Sequence, residues 1–175
     1  LEKVHDELGR AIHPGMSTWE INKLGEEMIR SFGCTPNFLN YNGYPASICV
    51  SVNEEVVHGI PSKKRILKEG DIVSLDAGLI YEGYHSDAAR THAVGEISPE
   101  ARKLVEVTRQ AFFEGIKYAK AGHHLHEISA AIGAYAESFG YGVVRDLVGH
   151  GIGTHLHEDP AVPNFAQPSR GVRLQ

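Results

Sequence analysis

Asp76 and Asp87 flank the turn of Ile72-Val-Ser-Leu-Asp76-Ala-Gly-Leu-Ile-Tyr-Glu-Gly83-Tyr-His-Ser-Asp87. Two carboxylates held side by side repel unless one takes a proton or a cation lies between them. The chemistry open to such a pair is therefore cation binding. Glu82-Gly83 is a turn signal, and Ile72 to Leu75 reads as a buried strand, so the segment is expected to form a β-hairpin. A turn centred between Tyr81 and Glu82 would make the two aspartates direct cross-strand partners, with Cβ atoms about 4.5–5.5 Å apart on one face. A register off by one would instead leave one of them a loop aspartate.

Other residues could complete a site. Gly149-His150-Gly151-Ile152-Gly153 precedes His155 and His157-Glu158-Asp159-Pro160. Glycines beside a histidine let the backbone approach a ligand or bend sharply. His150 could then join the aspartates in the mixed N/O coordination that suits a divalent transition ion, with His157 directed into the same cleft. The plainer reading of His150 is a hydrogen-bonded histidine in a Gly-rich turn. In Val56-Val57-His58-Gly59-Ile60-Pro61, His58 is expected at the end of an apolar strand. It could serve there as a proton donor or as a partner for charge developing on a substrate, or simply cap a strand carbonyl. Phe38, Tyr41, Tyr44 and Cys49 could line an apolar pocket for a flexible, polarizable side chain; they also fit ordinary core. His123, His124 and His126 fall in a turn entering a helix and are read as capping or solvated. His5, His13, His85 and His92 have no convergent partners in the sequence.

The elements that must position these residues come twice. Gly15, Glu20, Ile21, Ser31, Phe32 and Gly33 recur 107 residues later as Gly122, Glu127, Ile128, Ser138, Phe139 and Gly140. Each set spans a Gly turn, a polar cap and an amphipathic helix ending in Phe-Gly, the glycine suited to a left-handed C-cap. With His58-Gly-Ile and His150-Gly-Ile, this favours a duplicated unit related by a pseudo-two-fold axis. The expected elements are helices at 1–12, 17–32, 99–120 and 124–139, and strands near 47–53, 72–80, 84–94 and 142–148. That is an α+β fold with helices on one face of a largely antiparallel sheet. One domain, 1–175, is expected, with halves of about 1–95 and 96–175. Arg170-Gly-Val-Arg-Leu174 mirrors the approach to the Asp76 strand, so the second half is expected to stop short of its own hairpin.

Composition bounds the function. The 175 residues are 42% hydrophobic and 22% charged, ordinary for a soluble globular protein. A net charge of −5 gives no reason to expect nucleic acid or an anionic membrane as partner. Apolar runs are strand-length, no secretory signal opens the chain, and the first residue, Leu1, suggests a trimmed start. Two cysteines make neither a disulfide framework nor a thiolate zinc site; reduced thiols in the cytoplasm are the simpler expectation.

NGYPASICVSVNEEVVHGIP (42–61), LKEGDIVSLDAGLIYEGYHSDAARTHAVG (67–95) and VGHGIGTHLHEDPAVPNF (148–165) closely resemble type I methionine aminopeptidases of the bacterial kind. The resemblance implies the pita-bread fold and hydrolytic removal of the N-terminal methionine from nascent proteins. It also implies two divalent ions (cobalt, manganese, iron, zinc or nickel) sharing a water. Asp76, Asp87 and His150 match three metal ligands of that family. Two further ligands, both glutamates, would follow Gln175, so the resemblance implies a site incomplete in this chain. His58 and His157 match substrate-binding and catalytic residues, and Phe38, Tyr41, Tyr44 and Cys49 the methionine pocket. Phe38, Asn42 and Leu156 depart from residues common in the family. The implied setting is a cytoplasmic monomer acting on nascent chains near the ribosome, without nucleic acid or membrane. Two alternatives are a proline-specific peptidase of the same fold (prolidase or aminopeptidase P) and a non-catalytic binding fragment.

Overall fold

Capping chemistry fixes where the helices begin. The structure, a computed structural model, describes residues 1–175. Helix α1 covers Glu2–Ala11 and α2 Thr18–Ser31. Ser17 opens α2: its hydroxyl accepts the Glu20 N–H at 3.2 Å, while the Glu20 carboxylate accepts the Ser17 N–H at 2.7 Å. This reciprocal capping box satisfies two backbone donors that a helix start would otherwise orphan. Helix α3 (Pro99–Ile116) starts on proline, which has no N–H to lose there. In α4 (Leu125–Ser138), His124 is the N-cap and the Glu127 carboxylate takes its N–H at 2.5 Å.

Four antiparallel strands make the main sheet: β1 (Thr35–Pro36), β2 (Ile48–Val52), β3 (Ile72–Tyr81) and β4 (Tyr84–Ala93), the first, second and fourth all paired to β3. Alternation along β3 divides the sheet into two faces. Val73, Leu75, Ala77 and Leu79 pack with Ile48, Val50 and Val52 against Val4, Leu8, Ile21 and Ile29 of the helices. Each large side chain so buried contributes roughly 1.5–3 kcal/mol. Gly25 lets α2 close on β2, since a Cβ there would lie 2.6 Å from Cγ1 of Ile48. The opposite face carries Ser74, Asp76 and Gly78, with Cys49 and Ser51 from β2 and Asp87 and Ala89 from β4.

The hairpin register differs from expectation. Asp76 pairs with Ala89, and Asp87 with Gly78. Glu82 and Gly83 both have positive φ, 50° and 84°, as the two central residues of a type I′ turn must. That turn pairs Tyr81 with Tyr84 and moves the residue opposite each aspartate by two, out of direct opposition. They become diagonal neighbours, and the side-chain parity that puts them on one face survives.

Compact units divide the chain at Ser98/Pro99. One comprises Leu1–Ser98 with Ile152–Leu156; the other comprises Pro99–Gly151 with His157–Gln175. In the second unit α3 packs on α4 through Gly115, where a Cβ would lie 2.5 Å from Cγ1 of Ile132. Its two strands, β5 (Gly149–Gly151) and β6 (Glu158–Val162), pair antiparallel with a bulge between His150 and Gly151. The strand expected over 142–148 does not form. A strand needs a partner, and β6 meets only Gly149–Gly151. Helix α3 likewise ends at Ile116, before the expected 120, in tight turns from Tyr118 N–H to Gly115 O and Ala119 N–H to Ile116 O.

The duplication is written into the hydrogen bonds. Gly15 N–H donates to Leu67 O, Thr18 N–H to Arg65 O, and Ser17 bridges Ile66. The same bonds recur 107 residues on: Gly122 N–H to Leu174 O, Leu125 N–H to Val172 O, and His124 bridging Arg173. No helix is long and apolar enough to cross a membrane.

Candidate functional site

Within the first unit the polar face of the sheet gathers the carboxylates. Asp76 lies between Cys49 on β2 and Ala89 on β4, and its carboxyl is in hydrogen-bonding contact with that of Asp87. Burial, then the Asp87 charge, then this shared hydrogen bond push Asp76 up to about 8. At neutral pH the pair therefore keeps a proton between its two carboxyl groups. A divalent cation would replace that proton and relieve the same repulsion, so the donors present fit a metal.

Cys49 joins this face to a small apolar cluster. Phe38, Cys49 and Leu156 are buried together, with half-buried Tyr44 packed on them. The Tyr44 hydroxyl donates to Gly59 O at 2.9 Å. Burial raises the Tyr44 phenol, and it pushes the Cys49 thiol up to about 11, with the Asp76 and Asp87 charges acting in the same direction against a Tyr44 hydrogen bond. A thiol held neutral is a soft wall for a pocket and a poor nucleophile at neutral pH. Tyr41 stands outside the cluster, 39% exposed in a single 3₁₀ turn. Leu156, singled out in the sequence as a departure from the family, completes the cluster. Its place directly before His157 is a second signal, since a loop side chain pointing away from the histidine could turn inward.

His58 is not at a strand end. Strand β2 closes at Val52, and His58 sits on the following loop, exposed, with φ 57°. Gly59 explains the loop's path. It runs back over β2, giving its N–H to Ser51 Oγ at 3.0 Å and accepting the Val50 N–H at 2.9 Å. A Cβ on Gly59 would lie 2.2 Å from Val50 O, so only glycine allows the approach. A histidine in the left-handed region stores backbone strain, which such a rigid neighbour must hold in place.

In the second unit His150 sits on β5, with its ring 4.2 Å from that of His157. The His150 Nδ1–H donates to Gly151 O at 2.8 Å. That bond fixes the tautomer with its lone pair on Nε2, the form a metal-ligating imidazole needs. Gly151 repeats the role of Gly59: a Cβ there would lie 2.4 Å from Asp159 O. Within neither unit do three His, Cys, Asp or Glu side chains converge on one point. Of the remaining histidines, His124 caps α4 and His126 is bonded to Ser169 O, as a turn entering a helix suggests. His5 is buried and His92 half-buried, and desolvation is the chief cause holding each pKa low.

A sheet face with paired carboxylates beside a thiol-containing apolar cluster fits a metal-dependent hydrolase, and comparison with known proteins shows the family. The chain belongs to metallopeptidase family M24, whose model matches residues 1–175. It is 56% identical over 167 residues to a methionine aminopeptidase of Clostridium acetobutylicum, covering 95% of this chain and 67% of that protein. The crystal structure of a methionine aminopeptidase from Thermotoga maritima superposes with a TM-score of 0.95 at 45% identity, covering 98% of this chain and 69% of that one. A Xaa-Pro dipeptidase from Bacillus anthracis gives 0.82 at 31%, covering 98% and 46%. The fold is the pita-bread fold of these enzymes.

Proposed function

We propose that the protein is a methionine aminopeptidase, acting on the free N-termini of nascent polypeptides as a cytoplasmic monomer near the ribosome. The observation that carries this is the shared sheet face in the first unit. Cys49 pairs directly with Asp76, and Asp87 lies on the same face one strand further on, so the apolar cluster of Phe38, Cys49 and Leu156, which we read as the pocket for a long, soft side chain, adjoins the carboxylate pair. Higher identity to the methionine aminopeptidases than to the proline-specific peptidase supports the same choice.

Asp76, Asp87 and His150 are the proposed metal ligands, in a centre of two ions; manganese and cobalt are the probes of choice. Two such ions would supply Lewis acidity, lowering the pKa of a bound water and polarising the scissile carbonyl. The chain's own residues do the rest. Phe38, Cys49, Leu156 and Tyr44 take the methionine side chain and exclude water from it. His58 and His157 hold the substrate backbone and donate hydrogen bonds to the oxygen on which negative charge develops, the task of an oxyanion site. Tyr41, exposed at the rim, meets the substrate only outside that pocket.

Hydrolysis of Met-Gly-Met and of an Ala-Pro peptide by manganese-loaded full-length protein tests the reading. The 175 residues alone, lacking the two implied glutamates, are expected to bind metal weakly and hydrolyse poorly. Cleavage of the methionyl peptide is expected, with Asp87→Asn lowering kcat/KM by more than about a hundredfold and His58→Ala lowering kcat by roughly 10²–10³. Cleavage of the Ala-Pro peptide alone would overturn it. Metal binding without turnover would leave the chain a binding module.

A further inference from the structure

The Phe38 ring keeps its place in the pocket wall because residue 78 has no side chain. Gly78 is buried on β3, directly opposite Asp87, and its carbonyl accepts the Asn37 N–H at 3.0 Å. A Cβ built on Gly78 would lie 2.8 Å from Cε1 of Phe38 and 2.9 Å from both Cβ and Nδ2 of Asn37. Carbon atoms in good contact stand about 3.5–4.0 Å apart, so something would have to give by about 1 Å. Gly78 is not among the glycines with positive φ. Space, not backbone conformation, is what excludes a side chain there.

Which neighbour yields decides the consequence. The β3 backbone is fixed by pairing to β2, β1 and β4. Asn37, tied through its backbone N–H to Gly78 and through Oδ1 to His85 Nδ1 at 2.5 Å, must also shift by a few tenths of an ångström. That adjustment is common to any variant with a side chain at position 78 and therefore cancels when two such variants are compared. Phe38 has no such anchor on its ring. One side of that ring rests over Gly78, and it packs with Cys49 and Leu156 in the pocket cluster. Lifted off the sheet, it moves toward Cys49 and Leu156, the side chains proposed to receive methionine with it.

We infer that Gly78 sets the depth of the proposed side-chain pocket, a positioning residue that selects long N-terminal side chains by letting the Phe38 ring approach the sheet closely beside Asp87. This rests on the methionine aminopeptidase reading. It adds to that reading a determinant of substrate size that does not itself line the pocket. A methyl group at position 78 raises the ring and shortens the pocket, so methionine suffers more than a short unbranched residue such as 2-aminobutyrate. Differences of one methylene in an apolar pocket are worth about 10–200-fold in specificity.

The test is a double-mutant cycle read as a ratio, kcat/KM for Met-Gly-Met over that for 2-aminobutyryl-Gly-Met, on manganese-loaded full-length protein. Gly78→Ala is expected to lower this ratio at least about tenfold. In a Phe38→Leu background, with no ring to lift, the same substitution should change it less than about threefold. Melting temperatures of all four proteins accompany the cycle. If Gly78→Ala alone does not fold, Gly78→Ala/Phe38→Leu should. An unchanged ratio, an equal drop in both backgrounds (which would assign the effect to Asn37), or a double variant that cannot fold would each overturn the inference. A parent protein that leaves Met-Gly-Met intact would sink it together with the function on which it rests. An active parent with an unaltered ratio sinks this inference alone.

Discussion

A carboxyl raised to about 8 among groups that ordinarily titrate near 4 is poised to exchange its proton for a cation. Asp76 is raised first by burial and then by Asp87, with which it shares a hydrogen bond. At pH 7 the metal-free pair holds about one proton, which a divalent ion must displace. Binding of manganese is therefore expected to release close to one proton from this pair at pH 7. Apparent affinity should rise about tenfold per pH unit up to roughly pH 8 and flatten above it. Calorimetry in two buffers of different ionisation enthalpy reads the release directly, and Asp76→Asn should lose it. Affinity independent of pH between 6 and 8 would contradict the shared proton. That Asp76 and Asp87 share a face was legible in the sequence, because Glu82-Gly83 announces a two-residue turn and parity does the rest. Their exact pairing was not, since moving the turn centre by one residue shifts both partners without changing the pattern of apolar and polar positions.

Among the elements, helix starts were the most legible, because capping is local chemistry. Ser17 with Glu20 three residues on predicts the start of α2, and the structure shows both hydrogen bonds of the box. Ser17→Ala removes the acceptor for the Glu20 N–H and is expected to cost about 1 kcal/mol, within a range of roughly 0.5–2. A shift in urea midpoint with unchanged m-value would show it. No shift would mean that the bridge from Ser17 to Ile66 carries the junction instead. Strands were less legible, since a strand exists only where a partner meets it. Val143-Val144 has the composition of one and no partner, whereas Gly149–Gly151 has a poor composition and pairs with β6. The His58 loop was misplaced for a related reason. Apolar Val56-Val57 looks like strand, yet both residues are exposed, and Gly59 rather than either valine makes the contact with β2.

At the scale of the whole molecule, buried titratable groups that no sequence pattern brings together set how stability depends on pH. On the acid side stand His5 and His92. The ring of His5, from α1, is fully buried with Nε2–H donating to Ala88 O at 2.8 Å, and Arg90, His92 and the Leu1 ammonium are the charges around it. His92 lies against Gly9, with Arg90 and Asp6 nearby. Both histidines have depressed pKa values, so below about 6.5 the unfolded chain binds protons that the fold refuses, and stability falls as pH falls. Asp76 acts with the opposite sign. Raised to about 8, it holds a proton in the fold that the unfolded chain has already lost above about 4. Its contribution is complete at low pH and is lost as pH rises toward 8. Below 6.5 two histidines outweigh one carboxyl, and above it the carboxyl acts alone. The metal-free protein should therefore be most stable near pH 6.5 and lose at most about 2 kcal/mol by pH 8. Saturating manganese takes the proton's place between the aspartates and should abolish that alkaline limb while leaving the acid limb, which His5→Leu should make shallower. Urea unfolding at pH 5.5, 6.5 and 8, with chelator and with manganese, separates the two. A metal-free protein that gains stability between pH 6.5 and 8 would show that the aspartates are not the pair that dominates its charge balance.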